Sequence, residues 1–356
     1  MKNIPYFDLF YLKLGNACNF NCRHCSQGSV PKKDPGDSIS EDVYRFLDKY
    51  IIAHKNKKKS LIRLWGGEPL LYFHHIKKIV LRYKDSFDYT LISNGSLLSQ
   101  EIVDFLNKNN INFVLSHDGE NTAAIRDEDV LKNNNIKKLF DSIKNKSFMS
   151  VITAVSPRID KTIDYFRNMQ YEDIYINFVW MINHDGTNEQ NELSKIDFEE
   201  YRKSVQETIK RFELHINGKG YFPKEHNYIS TFLSKIKNGK EKCFDNNCSY
   251  IKKCNTCGYY VGDQMLEIDI YGNVYECHNG NNIIGKITDN YLELKEKANY
   301  YKDNKKKDLN CKDCDISFLC EGVCPTSTPL GDCVWCSFYK ITFEEIIKYL
   351  FTFDQK

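Results

Sequence analysis

Two hydrophobic periods alternate along the first 212 residues. Short apolar runs at Asp8 to Leu14, Ser60 to Trp65, Tyr89 to Ser93, Asn112 to Ser116, Met149 to Val155 and Ile174 to Met181 predict strands. The stretches between them carry apolar residues at helical spacing. Ser40-Glu41-Asp42 predicts a capped helix running to His54, with Val43, Phe46, Leu47 and Tyr50 on one face. Helices are also expected over Phe73 to Tyr83, Gln100 to Asn109, Val130 to Asn145, Ile159 to Met169 and Phe198 to Phe212. Six strand–helix units in series predict an α/β fold, a parallel sheet with right-handed crossovers. The expected architecture is a partial (β/α)6 TIM-like barrel. Six units rather than eight leave it laterally open, so that a large substrate can enter.

The residues with chemical potential sit where the predicted strands end, as in βα barrels. Strand one delivers Cys18-Asn19-Phe20-Asn21-Cys22-Arg23-His24-Cys25, three thiols at C-x3-C-x2-C spacing. Strand two ends on Gly66-Gly67-Glu68-Pro69, strand three on Ser93-Asn94-Gly95, and strand four on His117-Asp118-Gly119. Three thiols this close cannot all pair as disulfides, but they can ligate one metal centre and leave a coordination position open. A four-iron cubane usually takes four thiolates, so three leave one iron free for a small molecule. A zinc knuckle with a distant fourth ligand, or three unrelated thiols, is the alternative.

Composition narrows the compartment and the partners. The chain has 356 residues, 50 basic against 48 acidic, and a net charge of +2. That balance gives no electrostatic case for nucleic acid or an anionic membrane as main partner. No apolar run is long enough to span a bilayer, and the N-terminus lacks a signal-peptide core. A cytoplasmic protein with reduced thiols is expected, which favours metal over disulfides for its 14 cysteines. Three of these lie within residues 18–25, none between 26 and 242, and eleven within 243–336. The expected organisation is a barrel over residues 1–215, a linker over 216–242, a small cysteine-rich α+β module over 243–340, and a C-terminal helix over 341–356.

At these positions the chain resembles the radical S-adenosylmethionine enzymes. The resemblance rests on Cys18, Cys22 and Cys25, on Gly66 to Pro69, on Ser93-Asn94-Gly95, and on Ser116-x-Asp118-Gly119 with Arg126 downstream. It implies a [4Fe-4S] cluster whose open iron chelates S-adenosylmethionine. It implies reductive cleavage of that cofactor to a 5′-deoxyadenosyl radical, which abstracts hydrogen from an unactivated carbon. An external one-electron donor of the flavodoxin or ferredoxin type would supply the electron. Gly66, Gly67, Glu68, Ser93, Asn94, Ser116, Asp118 and Arg126 become the candidate cofactor-binding residues. His24 stands where the family usually carries an aromatic residue near the adenine. Glu68 either pairs with the cofactor's amino group or holds its own loop.

The module after residue 243 carries the second resemblance. Leu266 to Ile270, the Gly272-Asn273 turn and Val274 to Cys277 predict a β-hairpin with thiols at both ends. The spacing from Cys257 is C-x14-G-x4-C, then C-x2-C-x5-C-x3-C through Cys311, Cys314, Cys320 and Cys324, then a final cysteine. Two zinc ribbons would also use such C-x2-C pairs. The pattern closely resembles the SPASM module of radical S-adenosylmethionine enzymes, which implies two auxiliary [4Fe-4S] clusters and three clusters in all. By family order one takes Cys254, Cys257, Cys277 and Cys324; the other takes Cys311, Cys314, Cys320 and Cys336. Cys243, Cys248 and Cys333 stay unassigned. Sulfatase-maturing relatives carry an aspartate base directly after the G-x4-C cysteine. Here that position is His278, a candidate base at neutral pH and equally a polar residue on the hairpin rim.

The expected function is radical modification of a peptide or protein substrate by crosslinking, thioether formation, epimerisation or oxidation. Three rivals remain: a sulfatase maturase making formylglycine, a small-molecule radical dehydrogenase, and a non-catalytic iron–sulfur electron-transfer protein. Only 17 residues precede the thiol triplet. Leader recognition, if any, is therefore expected from a separate leader-binding protein or from the barrel itself.

Overall fold

A computed structural model describes residues 4–25, 27, 38–180, 192–244, 265–277, 282–305, 316, 319 and 334–353. Its contacts divide the chain into two units. The first comprises Met1–His117, Arg126–Phe148 and Gly258–Lys307; the second comprises Asp118–Ile125, Met149–Cys257 and Asp308–Lys356.

The first unit is built on parallel strands β1 (Leu9–Lys13), β2 (Ser60–Trp65), β3 (Phe87–Ser93) and β4 (Asn112–Ser116). Neighbours in sequence are neighbours in the sheet, as short right-handed crossovers require. Helices α1 (Glu41–Ala53), α2 (Phe73–Tyr83), α3 (Gln100–Lys108) and α4 (Asn134–Ser142) follow the four strands in turn. Side-chain caps fix three of their starts. Ser40 accepts from Asp42 N, Ser99 from Ile102 N, and Asn133 from Asn135 N and Ile136 N. The predicted face of α1 is the buried one: Val43, Phe46, Leu47 and Tyr50. Phe10 of β1 meets Tyr50 edge-on at 4.8 Å and Phe46 at 6.3 Å. The Tyr50 hydroxyl accepts from Phe7 N at 3.0 Å and sits 2.7 Å from Ser60 Oγ, tying the starts of β1 and β2 to α1.

The hairpin predicted near residue 270 is present but belongs elsewhere than expected. β7 (Met265–Asp269) pairs in parallel with β1, and β8 (Asn273–Tyr275) and β9 (Ile283–Lys286) follow antiparallel. Within this unit the strand order is β4-β3-β2-β1-β7-β8-β9, so the sheet is mixed at one end and does not close on itself. The physical reason is the free edge of β1. Its unpaired N–H and C=O groups need a partner, and β7 supplies one.

In the second unit β5 (Lys146–Ile152), which starts in the first, is followed by α5 (Ile159–Asn168), β6 (Ile176–Trp180) and α6 (Phe198–Ile216). Then come α7 (Pro223–Phe244) and, at the end of the chain, α9 (Val334–Phe353); α8 (Tyr291–Lys305) belongs to the first unit. Much of the stretch expected as a linker is therefore helix. Proline starts α7 where no N–H is needed, and Ile229, Phe232 and Ile236 give it a buried stripe. Tyr201 of α6 is fully buried, with its ring 4.6 Å from Phe338 and its hydroxyl 2.8 Å from Thr342 Oγ1. Among the described residues no helix is long and apolar enough to cross a membrane.

The β1–β2 ladder continues past the strand ends. Leu14 N donates to Trp65 O, Gly67 N to Gly15 O and Glu68 N to Ala17 O, at 2.9, 2.9 and 2.8 Å. A Cβ on Gly67 would lie 2.2 Å from Ala17 O, and one on Gly66, whose φ is +148°, 2.5 Å from Gly15 O. These glycines are thus required by the neighbouring loop. Gly67→Ala is expected to lower stability by roughly 2 kcal/mol or more, because backbone blocks the new methyl. Gly218→Ala, with φ +67° but nothing within 4 Å, is expected to cost only about 1 kcal/mol. Anaerobic denaturant titration checks the order of the two losses; a harmless Gly67→Ala would contradict the close approach.

Candidate functional site

The three triplet cysteines are half-buried and carried on the loop that leaves β1. Cys25 N donates to Cys22 O at 3.1 Å, closing a turn between two of them. Phe20 N lies 3.4 Å from Cys18 Sγ and donates to it. Such an N–H···S bond favours a thiolate and tunes any iron it holds. Among the described residues no three or more His, Cys, Asp or Glu side chains converge tightly enough for a single metal ion. A cubane, in which each thiolate meets its own iron, asks for a wider spread. The donor set and the N–H···S bond fit such a group.

Three neighbouring segments pin this loop. From the segment after β2, the Tyr72 hydroxyl accepts from Ala17 N at 2.8 Å while its ring fills the space beside Gly15. From the loop after β3, Asn94 Nδ2 donates to Asn19 Oδ1 at 3.0 Å, and Asn19 Nδ2 to Ser96 Oγ at 2.8 Å. From the segment after β4, Asp127 Oδ2 accepts from Asn21 N at 2.5 Å. Asp127 has φ +63°, a left-handed conformation that aspartate tolerates better than most residues. Sequence reasoning missed Tyr72 and Asp127. Nothing in their spacing marks them, since both act through long-range contacts to backbone N–H groups.

Glu68 is the hub of the rim. It is 1 % exposed. Oε1 accepts from Leu70 N at 2.9 Å and Ser93 Oγ at 2.7 Å, and Oε2 accepts from Asn94 N at 2.8 Å. Burial raises its pKa to about 6, with the three hydrogen bonds pulling the other way. Ser93 also accepts from Gly95 N, and Asn94 Oδ1 from Ser96 N and Oγ. Glu68, Ser93 and Asn94 therefore form one network, together with the thiol loop.

The remaining candidates are distributed over both units. Ser116 ends β4 in the first unit, half-buried, and Arg126 is 7 % exposed there. His24 is half-buried between Cys22 and Cys25. His117, at the end of strand four, is fully buried with Nε2 2.8 Å from Asp129 Oδ1. In the second unit Asp118 is fully buried; its Oδ1 accepts from Val151 N at 2.7 Å and its own N–H donates to Thr122 Oγ1 at 2.7 Å. Cys277 is buried just after β8, and Cys336 is half-buried in the first turn of α9. Cys254, Cys257, His278, Cys311, Cys314, Cys320 and Cys324 lie outside the described residues.

Comparison with known proteins places this geometry. The chain is 25% identical over 96% of its length, and 75% of the relative's, to the radical SAM cyclopropyl synthase TigE of Paramaledivibacter caminithermalis. It is 23% identical to a cysteine-type anaerobic sulfatase-maturating enzyme of Clostridium novyi, over 94% of this chain and 93% of that one. Among solved structures, native anSMEcpe with bound AdoMet and Cp18Cys peptide superposes with a TM-score of 0.72 at 20% identity, covering 98% of both chains. Streptococcus suis SuiB bound to precursor peptide SuiA gives a TM-score of 0.58 at 16% identity, over 90% of this chain and 72% of that one. At these identities the structural likenesses establish the fold, the partial barrel. The Radical SAM superfamily model matches residues 12–166, the stretch that holds the thiol loop and every segment that pins it.

Proposed function

We propose that this protein cleaves S-adenosylmethionine reductively and uses the resulting radical to modify a peptide or protein. The observation that carries the reading is the half-buried thiol loop pinned from three sides. Cys18, Cys22 and Cys25 would hold a [4Fe-4S] cluster, which when bound supplies the electron and an open iron for the cofactor's amino and carboxylate groups. The chain's own residues do the positioning. Tyr72, Asn94 and Asp127 fix the backbone of the loop, so the thiolates keep one geometry through turnover. The backbone carbonyls of Gly66 and Gly67 are proposed to accept from the cofactor's ammonium group.

Glu68 is assigned a positioning role rather than a contact to the cofactor. Both its oxygens already accept from protein donors, so it joins the loops after β2 and β3. Ser116 and Arg126 are proposed for the ribose and carboxylate and His24 for the adenine, while Asp118, which accepts from Val151 N, is proposed to hold the backbone of β5. Cys254, Cys257, Cys277, Cys311, Cys314, Cys320, Cys324 and Cys336 are proposed to hold two auxiliary clusters, with His278 as a candidate base.

A peptide or protein substrate is supported by the relatives. One matures sulfatases by name, and two structural neighbours were solved with peptides bound. The relative named a cyclopropyl synthase adds ring closure to the outcomes to look for. Formylglycine formation is the second reading, favoured by the sulfatase-maturating relative.

Two experiments test these assignments. Cys22→Ala should reduce 5′-deoxyadenosine formation to background in the anaerobically reconstituted protein while much of the bound iron remains. Retained cleavage would show that the triplet has another role. Glu68→Gln keeps the volume but cannot accept from three donors at once, and should lower stability by on the order of 1–2 kcal/mol at neutral pH. The pH dependence has a defined sign. The folded pKa of about 6 lies above the ordinary 4.5, so Glu68's proton-linked stabilisation is full below pH 4.5 and is lost as pH rises through about 6. Anaerobic melts from pH 4 to 8 should show this decline in the wild type and not in Glu68→Gln; identical profiles would contradict the assignment.

A further inference from the structure

The sheet face turned away from α1 carries a row of polar residues across five paired strands. Phe10 and Phe87 point to the other face, where they meet Tyr50 of α1. On the opposite face the register aligns Glu267 of β7 with Tyr11 of β1, Tyr11 with Arg63 of β2, Arg63 with Thr90 of β3, and Thr90 with Asn112 of β4. A barrel interior is ordinarily filled by Val, Ile and Leu at such positions. In β2 the helix-facing residues Ser60, Ile62 and Leu64 are buried, while Leu61, Arg63 and Trp65 on this face keep partial exposure. The face is therefore open at β2, while Tyr11, Thr90 and Glu267 beside it are buried.

Its polar atoms are incompletely paired within the protein. Glu267 is 1 % exposed, and its Oε2 is buried with no hydrogen-bond partner. Arg63 Nε and Trp65 Nε1 are likewise buried without a partner. The neighbouring Asp269 is saturated by contrast, accepting from Tyr271 N, Asn273 N, Asn273 Nδ2 and the Tyr275 hydroxyl at 2.7–2.9 Å. The backbones of Glu267 and Arg63 are two strand spacings apart, about 10 Å. Their side chains could meet, yet they form no ion pair; Arg63 lies over the Tyr11 ring, 4.9 Å from its centroid, and donates to the Tyr11 hydroxyl. A buried polar atom without a partner costs about 1–3 kcal/mol, a cost that a ligand group able to hydrogen-bond there would recover.

We propose that this face is the subsite that grips the substrate by its amide groups. Arg63 and Trp65 donate to an amide carbonyl, and Glu267 pairs with the amide N–H. The proposal rests on the peptide-substrate reading and specifies which residues would recognise the chain. An amide fits where an ion does not. A cation would meet Arg63 and Lys13 on the same face, and an anion would meet Glu267 and Asp269. Burial also pushes the Glu267 carboxyl well above the usual carboxylate range, partly offset by Lys13, which favours its protonated form. A neutral acid can both donate to and accept from an amide.

The test uses the anaerobic holoenzyme and does not need the natural substrate. The probe is N-acetylalanine methylamide, followed by Trp65 emission, which Trp65→Phe identifies among the three tryptophans. A saturable change is expected with the wild type, weakened about tenfold in Glu267→Met by loss of one charge-independent hydrogen bond. Glu267→Met should also raise the thermal midpoint of the substrate-free protein, because it replaces an unpartnered buried carboxyl with an apolar chain of similar length. A residue with a purely structural role would give a fall. A lowered midpoint, no saturable response to the amide, or saturation by methylammonium instead would overturn the proposal. Failure of the radical reading shows separately, as a wild type that makes no 5′-deoxyadenosine.

Discussion

The structure depends on the close backbone approach between the loop leaving β1 and the turn leaving β2. Parallel pairing does not stop where the strands stop. It runs on through Gly67 N to Gly15 O and Glu68 N to Ala17 O, bringing the two turns into contact that no side chain could occupy. The thiol loop begins at the next residues. Its position is therefore set by main-chain hydrogen bonds of the sheet itself, the most rigid element available.

Polar side chains extend that rigidity sideways. Glu68 collects donors from its own turn and from the loop after β3, and that loop in turn holds Asn19. A carboxyl with so little exposure is costly unless its acceptors are filled, and three donors fill them. The rim thus satisfies its buried charge internally. The sheet face around Arg63 and Glu267 does not, and the contrast separates residues that build the site from residues suited to bind at it.

Much of this was legible in the sequence because it is local. The apolar runs at Leu9 to Lys13 and Ser60 to Trp65, and the cap at Ser40, read directly. The thiol triplet and Gly66-Gly67-Glu68-Pro69 stood out for their spacing. The reason for the two glycines did not, since it is a neighbouring carbonyl rather than a ligand. The partner of the 265–275 hairpin was also hidden. Alternating residues mark a hairpin but not the strand it joins, and β1 lies more than 250 positions away. Asp127 and Tyr72 escaped for the same reason: an acceptor for a distant backbone N–H has no sequence signature. Within the stretch expected as a linker, 216–242, Pro223 starts a helix.

The central claim is that the pinned loop holds a cluster whose open iron binds S-adenosylmethionine directly. Electron–nuclear double resonance on the reduced holoenzyme, with the cofactor labelled with 15N at the amino group and 17O at the carboxylate, tests it most directly. The account predicts hyperfine coupling to both labels, absent in Cys22→Ala. A reduced loop cluster that forms normally in the wild type and shows neither coupling would contradict it.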